Sequence, residues 1–252
     1  MSDFQLTTQQ LSDYREKGHV TVPAVFSLQE IETAVADIAE WSREFLAALP
    51  EEKRAWYLEG QTDAMTLRKL DNPVHERPVF RSMARQSRLL SCVTQLIGSG
   101  LRVGFSQVFM KPPGGGGPKP IHQDNYYFGP NNPNGIVTVW IALDHATTEN
   151  GCLYYGDGSH KGPVLEHVAP KHEPFNLQVP SELAARYEMT PAPVPRGGVS
   201  FHHGNTLHQS SENRSPHPRR AVAMHFLNHE TTFQNPALKY DETVIVDIEP
   251  QT

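Results

Sequence analysis

The sequence predicts a mainly β (α+β) fold, in which helices of the N-terminal part pack on an all-β sandwich or barrel. Three observations carry this expectation. Residues 1–98 hold apolar positions at helical spacing between recognisable start and stop signals. From Leu101 onward, short β-prone segments alternate with Pro- and Gly-rich turns. No repeat or linker interrupts the 252 residues, so a single domain over 1–252 is expected, mainly helical over 1–98 and β over 99–252.

Thr7 or Thr8 can cap a first helix that stops at Gly18, because a helix C-terminus favours a left-handed residue. Residues 19–22 read as a short strand closed by Pro23. Ser27 and Glu30 form a capping box for a long helix in which Leu28, Ile31, Val35, Ile38 and Phe45 share one face. A further helix is expected over 87–97, ending at Gly98. Strands are expected over 103–110, 136–143, 199–202, 221–227 and 244–246. Between the first two, residues 112–120 contain four consecutive glycines, Gly114 to Gly117, and read either as a flexible connection or as an active-site rim. Residues 162–195, rich in Pro, Glu and His, read as a long insertion with one short helix over 181–187. Insertions of that kind often form lids or binding loops.

Composition narrows the partners. Apolar residues at 38% and charged residues at 20% suit a globular chain. A net charge of −6 counts against a nucleic-acid backbone, since Arg214, Arg219 and Arg220 make the one notable basic knot. No apolar run approaches the roughly 20 residues of a membrane span. Met1-Ser2-Asp3-Phe4 lacks a signal-peptide layout, and Pro250-Gln251-Thr252 is no peroxisomal tripeptide. Cys92 and Cys152 are too few for a disulfide framework and read as small core residues. A cytoplasmic protein acting on a small molecule is expected, with neither nucleic acid nor membrane as partner.

The residues richest in chemistry are His122-Gln123-Asp124, His208 and Arg219. On an extended strand, residues i and i+2 share a side, so His122 and Asp124 can face one point. A second histidine would complete a triangular face of two imidazoles and one carboxylate, leaving three positions open. Non-heme iron(II) oxygenases use that arrangement, whereas structural zinc sites close their shell with four protein ligands. His208 is the favoured third ligand, with His202 and His203 as rivals that could equally be core or pocket residues. Arg219, eleven residues after His208, offers a planar fork for a carboxylate such as that of 2-oxoglutarate, and Ser210 can add a hydroxyl. A one-residue register slip would hand that role to Arg220. Asn125, Tyr126 and Tyr127 are candidates for the substrate pocket, structural packing being the alternative for each. Two other functions use the same triad, a zinc-dependent hydrolase and a cupin-like binding protein without turnover. Hydrolysis has no need of Arg219 at that position.

Together these residues resemble the phytanoyl-CoA dioxygenase family of iron(II)/2-oxoglutarate oxygenases. The resemblance covers residues 103–227. It runs through Lys111-Pro112-Pro113, His122-Gln123-Asp124, Trp140, Glu149-Asn150-Gly151-Cys152-Leu153, Gly158-Ser159-His160-Lys161 and the spaced set His208, Ser210, Asn213, Ser215, Arg219. It implies a double-stranded β-helix (jelly-roll, cupin-like) core with added N-terminal helices. It also implies Fe(II) on His122, Asp124 and His208, 2-oxoglutarate on Ser210 and Arg219, and O2 as the other cosubstrate. Trp140 and Gln107 fall at family cosubstrate positions, and a basic residue from the N-terminal half, Lys69 or Arg68, would approach the same ligand. Two turns depart from the family pattern, Gly156-Asp157-Gly158 and Gly197-Gly198, and neither includes an expected iron ligand. Asp124 sets the chain apart from halogenating relatives, which carry a small residue there. The implied reaction is hydroxylation or another oxidation of a C–H bond, coupled to conversion of 2-oxoglutarate to succinate and carbon dioxide.

Overall fold

Helix α1 (Thr8–Lys17) begins where the Thr7 side chain accepts from the Gln10 amide and Gln10 reaches back to the Thr7 amide. In the computed structural model, which describes residues 4–59, 66–169 and 177–246, this helix ends at Gly18 with φ 85°. A Cβ there would lie 2.4 Å from a His160 ring nitrogen and 2.5 Å from the Thr206 hydroxyl, so torsion and space both demand glycine. Strand β1 (His19–Val22) follows directly. Helix α2 (Leu28–Ala48) starts from the predicted Ser27–Glu30 box and buries Ile31, Ala34 and Ile38. Next come α3 (Arg54–Tyr57), the two-residue strands β2 (Leu58–Glu59) and β3 (Thr66–Leu67), which pair with each other, and β4 (Lys69–Asp71). Helices α4 (Pro73–Glu76) and α5 (Pro78–Ala84) each open on a proline, whose missing N–H has no helical partner in a first turn. Helix α6 (Ser87–Ile97) has the predicted bounds.

The C-terminal half holds β5 (Arg102–Lys111), β6 (Lys119–His122), α7 (Asp124–Phe128), β7 (Ile136–Ala142), β8 (Leu153–Gly156) and α8 (Ser181–Ala184). It continues with β9 (Met189–Ala192), β10 (Val199–His203), β11 (His208–Ser210), β12 (Arg219–Leu227) and β13 (Val244–Ile245). The larger antiparallel sheet runs β1-β10-β7-β12-β5-β13, with β4 also on β5; the smaller runs β6-β11-β8-β9. Their facing surfaces pack through Trp140, Ala142, Ala221 and Ala223 of the larger sheet and Leu153, Tyr155 and Ala192 of the smaller. Two antiparallel sheets closed on each other in this way form a jelly roll, the expected core.

Alternation explains how the larger sheet serves two purposes. Val137, Val139, Ile141, Val222, Met224 and Phe226 join the helices in one core. The intervening Thr138, Trp140, Ala223 and His225 turn toward the other sheet and line a cavity. A bulge keeps this phase along β5, since Phe105 pairs with His225 and Val103 with Phe226, which makes Gly104 the extra residue. Phe105 therefore lines the cavity while Val103 stays in the helical core.

Residues 162–195 are not one insertion, as the sequence predicts. Within them β9 pairs with β8 as an edge strand of the smaller sheet, with Pro191 opposite Tyr154. An edge strand tolerates the missing amide donor, so a proline-bearing segment can still be part of the sheet. The predicted helix is shorter, Ser181–Ala184, and residues 170–176 of this stretch lie outside the described residues.

Candidate active site

Strands β6 and β11 lie side by side with His122 directly opposite His208. The sequence predicts an extended strand through Asp124, but Asp124 instead opens α7. Gln123 alone is extended, with φ −125° and ψ 130°, and that one residue suffices to turn His122 and Asp124 to the same side. The Nε2 atoms of His122 and His208 lie 3.7 and 3.6 Å from Asp124 Oδ1. All three donor atoms fall within 4.8 Å of one another, and all three side chains are buried. An ion about 2 Å from each donor spans such gaps.

The surroundings prepare each donor. Nδ1 of His122 lies 2.8 Å from the Pro120 carbonyl, and Nδ1 of His208 lies 3.0 Å from that of Thr206. A carbonyl can only accept, so each Nδ1 carries the proton and each Nε2 lone pair faces the centre. Asp124 Oδ2 accepts from the Thr138 hydroxyl at 2.6 Å and from His202 Nε2 at 3.1 Å, which leaves Oδ1 toward the imidazoles. His225 Nδ1 donates to the Thr138 hydroxyl at 2.9 Å, and the Tyr155 hydroxyl lies 3.0 Å from His202 Nδ1. Of the sequence rivals to His208, His202 thus holds the outer oxygen of Asp124, while His203 reaches Asn134 Oδ1 at 3.0 Å. Burial would raise the Asp124 carboxyl, but the imidazoles of His208, His202 and His225 outweigh it and hold the group well below its ordinary range. Burial, then His208 and Lys119, hold the His122 imidazole well below its ordinary value. Burial and His208 likewise bring His202 to about 3. An ionised carboxylate beside neutral imidazoles is the form that binds a metal ion.

Arg219, the first residue of β12, pairs across the strands with Lys111 and is 3% exposed. Its guanidinium sits over the Trp140 ring at 5.6 Å, and its Nε has no hydrogen-bond partner among the described residues. Burial lowers it to about 10, which still leaves it charged at neutral pH. Such a cation is costly without an anion, and the cavity it faces is where an anion can reach it. Arg220 turns to the opposite side and binds Asp144 through two nitrogens at 2.8 and 2.7 Å. Register therefore leaves Arg219, not Arg220, facing the cavity.

That cavity, of about 400 Å³, is lined by His122, Asp124, His208, Ser210, Arg219 and Trp140, and also by Lys69, Arg68 and Gln107. Lys69 Nζ lies 3.3 Å from Asp71 and 4.3 Å from the centre of the Trp56 ring; burial draws it down to about 8, against the pull of Asp71. Gln107 donates to Asp71 at 2.7 Å, and Arg68 donates to the Trp56 carbonyl. Of the three substrate candidates, Tyr127 lines the cavity and the other two do not. Asn125 is turned to Asn205 Oδ1 at 2.7 Å, and Tyr126 stacks on His167 at 4.2 Å between ring centres. Sequence reasoning missed Phe105, Lys119, Trp56 and Tyr240, all on the cavity wall. The alternation Phe105, Gln107, Phe109, Lys111 on β5 was a usable signal for the first.

The family model for Phytanoyl-CoA dioxygenase (PhyH) matches residues 14–221. Phytanoyl-CoA dioxygenase 1 of Oryza sativa subsp. japonica is 31% identical over 171 residues, 68% of this chain and 60% of the rice protein, so this chain spans less than two thirds of that relative. The probable alpha-ketoglutarate-dependent hypophosphite dioxygenase of Stutzerimonas stutzeri is 27% identical over 218 residues, 84% of this chain and 75% of that protein. In fold, the chain resembles the non-heme alpha ketoglutarate dependent carbocyclase SnoK, with TM-score 0.74 and 23% identity over 96% of this chain and 97% of SnoK. It also resembles the epimerase SnoN, solved with Fe3+, alpha ketoglutarate and nogalamycin RO, with TM-score 0.70 and 23% identity over 91% of this chain and 86% of SnoN. Both likenesses agree with the two-sheet core. With the profile match running from α1 into β12, this chain belongs to the phytanoyl-CoA dioxygenase (PhyH) family.

Proposed function

We propose that this chain is an iron(II)- and 2-oxoglutarate-dependent oxygenase that hydroxylates a C–H bond of a small molecule. One observation carries the reading: a buried two-histidine, one-carboxylate face opens into the same cavity as a buried guanidinium without an anionic partner. The donor set suits ferrous iron with open positions, and the cation suits the remote carboxylate of 2-oxoglutarate. A zinc hydrolase would have no use for Arg219.

His122, Asp124 and His208 would hold the iron on one face. Thr138 and His202 keep Asp124 bound through a single oxygen by occupying the other. Arg219 and the Ser210 hydroxyl would grip the far end of the cosubstrate, with Trp140 as the wall beside it. Iron, 2-oxoglutarate and dioxygen would together supply the oxidising power, the cosubstrate leaving as succinate and carbon dioxide. Phe105, Tyr127 and Tyr240 line the remaining cavity, where a substrate would sit shielded from water.

Anaerobic titration of the iron(II)-loaded protein with 2-oxoglutarate should produce the visible charge-transfer band of an iron–2-oxo acid chelate. Admission of air should then yield succinate, and chelation of the metal should abolish both signals. A protein that binds iron yet gives neither band nor calorimetric binding of 2-oxoglutarate overturns the reading.

A further inference from the structure

We propose that Lys119 is a specificity residue and that the substrate carries a small anionic group, a carboxylate or a phosphonate, which pairs with its ammonium beside the metal centre. This rests on the reading of the site given above and names the substrate class for it. Lys119 opens β6, three residues before His122, and stands opposite Ser210 of β11. Its side chain lines the cavity. Among the described residues, its ammonium has one hydrogen-bond partner, the Tyr127 hydroxyl at 3.4 Å, and no carboxylate within ion-pair distance. That hydroxyl itself donates to the Leu177 carbonyl at 3.0 Å, so it offers Lys119 a neutral acceptor only. Burial, with Lys69 and Arg68 adding to it against the pull of Asp124, draws the Lys119 ammonium down to about 8.

The other charged side chains withdrawn into the cavity have an anion or a close carbonyl as partner, or would in the loaded enzyme, and Lys239 on the lining is exposed. Asp71 answers Lys69. Asp124 belongs to the metal face, and Arg219 is placed for the cosubstrate. Lys111 donates to the carbonyls of Gly117 and Ser211, each at 2.6 Å, at the Arg219 end. At the rim, Arg68 donates to the Trp56 carbonyl and Glu59 accepts from the Gly117 amide. Iron(II) with one carboxylate ligand and a dianionic 2-oxoglutarate beside Arg219 leaves no net charge there. Lys119 therefore remains as a half-buried cation with neither an ion-pair partner nor a close carbonyl among the described residues, facing the cavity. A partly buried ammonium is satisfied best by an ionic acceptor, and the cavity's aromatic walls, Tyr127 beside Lys119 and Phe105, Phe128 and Tyr240 elsewhere, suit an apolar remainder.

The test uses the full chain with iron(II) and saturating 2-oxoglutarate under anaerobic conditions. Butanoate and propylphosphonate are compared with the uncharged butanamide, by calorimetry and by perturbation of the visible band. Loss of a charge-assisted hydrogen bond is worth roughly ten-fold or more, so at least one anion should bind that much more tightly than the amide. The stronger of the two anions identifies the group. Lys119→Met should erase the preference and Lys119→Arg should keep it, while both leave the 2-oxoglutarate affinity within about two-fold of wild type. Equal binding of amide and anions overturns the proposal. So does a Lys119→Met variant that weakens 2-oxoglutarate instead of the anions, because it would assign Lys119 to the cosubstrate. Absence of the visible band would instead count against the iron and 2-oxoglutarate reading. In that case calorimetry of the same three probes on the protein alone still decides whether Lys119 selects an anion.

Discussion

Arg219 is a buried guanidinium whose Nε nothing in the described protein satisfies. Two opposite effects follow from replacing it. Arg219→Leu should stabilise the ligand-free protein by about 1 kcal/mol or more, because a desolvated charge is exchanged for an apolar side chain of similar reach. The same variant should bind 2-oxoglutarate at least ten-fold more weakly and lose the rise in melting temperature that the cosubstrate gives the wild type. Thermal melts with and without 2-oxoglutarate read both, and a variant destabilised in the free form would contradict this account of Arg219. Thr138 offers a second check at this scale. Thr138→Val removes the 2.6 Å hydrogen bond to Asp124 Oδ2 and leaves that oxygen held by His202 alone. Iron(II) affinity should fall about 10- to 100-fold, measured by competition with a chelating dye. His122, Asp124, His208 and Arg219 were legible because their spacing within two short stretches carries the chemistry. Lys119, Trp56 and Tyr240 were not, since each reaches the cavity from a different part of the chain and has no periodic partner nearby.

The elements that local rules govern were the ones the sequence announced. The cap at Thr7, one of the two threonines the sequence offered, the Ser27 capping box, the Gly18 and Gly98 stops and the helix over 87–97 all stand where caps and apolar spacing put them. The four long strands of the larger sheet, β5, β7, β10 and β12, were likewise predictable from runs of β-branched and aromatic residues. The smaller sheet was harder to see. Strand β8 has four residues, β11 has three, and β9 contains a proline, so none displays a period long enough to count. These strands exist because the larger sheet offers a face to cover, a tertiary cause that no short window records. Gly18 tests how tightly one element end is tied to the rest. Gly18→Ala forces a side chain onto a left-handed torsion and into His160 and Thr206 together. A loss of about 1–3 kcal/mol in urea unfolding is expected, against a few tenths for alanine at Gly115, which has no positive φ and where the nearest atom to a Cβ lies at 3.5 Å.

Across the whole molecule, Lys69, Lys111 and Lys119, three of the four lysines that line the cavity among the described residues, give stability an unusual pH dependence. Burial lowers Lys111 to about 7 and Lys69 and Lys119 to about 8, from an ordinary value of 10.5. Between those limits the unfolded chain binds more protons than the folded one, so the stability of the ligand-free protein should rise with pH from about 7 upward. The measurement belongs below about pH 9, above which the buried thiols of Cys92 and Cys152, and then buried tyrosines such as Tyr127, all pushed up by burial, begin to act in the opposite sense. Binding of 2-oxoglutarate should show the reverse trend and weaken above about pH 8 as ammonium charge is lost. Chemical denaturation and calorimetry across this range separate the two trends, and a flat stability profile would mean that these lysines are better solvated than the structure shows.

The pairing of His122 with His208 has a mechanical meaning as well. Strand β6 is the outer member of its sheet, four residues long and held on one flank only. A metal ion bound by both imidazoles would act as a rivet through that seam and clamp the loose margin to its inner neighbour. Stripping the ion should therefore let deuterium into the amides of Lys119, Ile121 and His122 well before it reaches β7 or β12. The hand that grips the metal is itself steadied by what it grips.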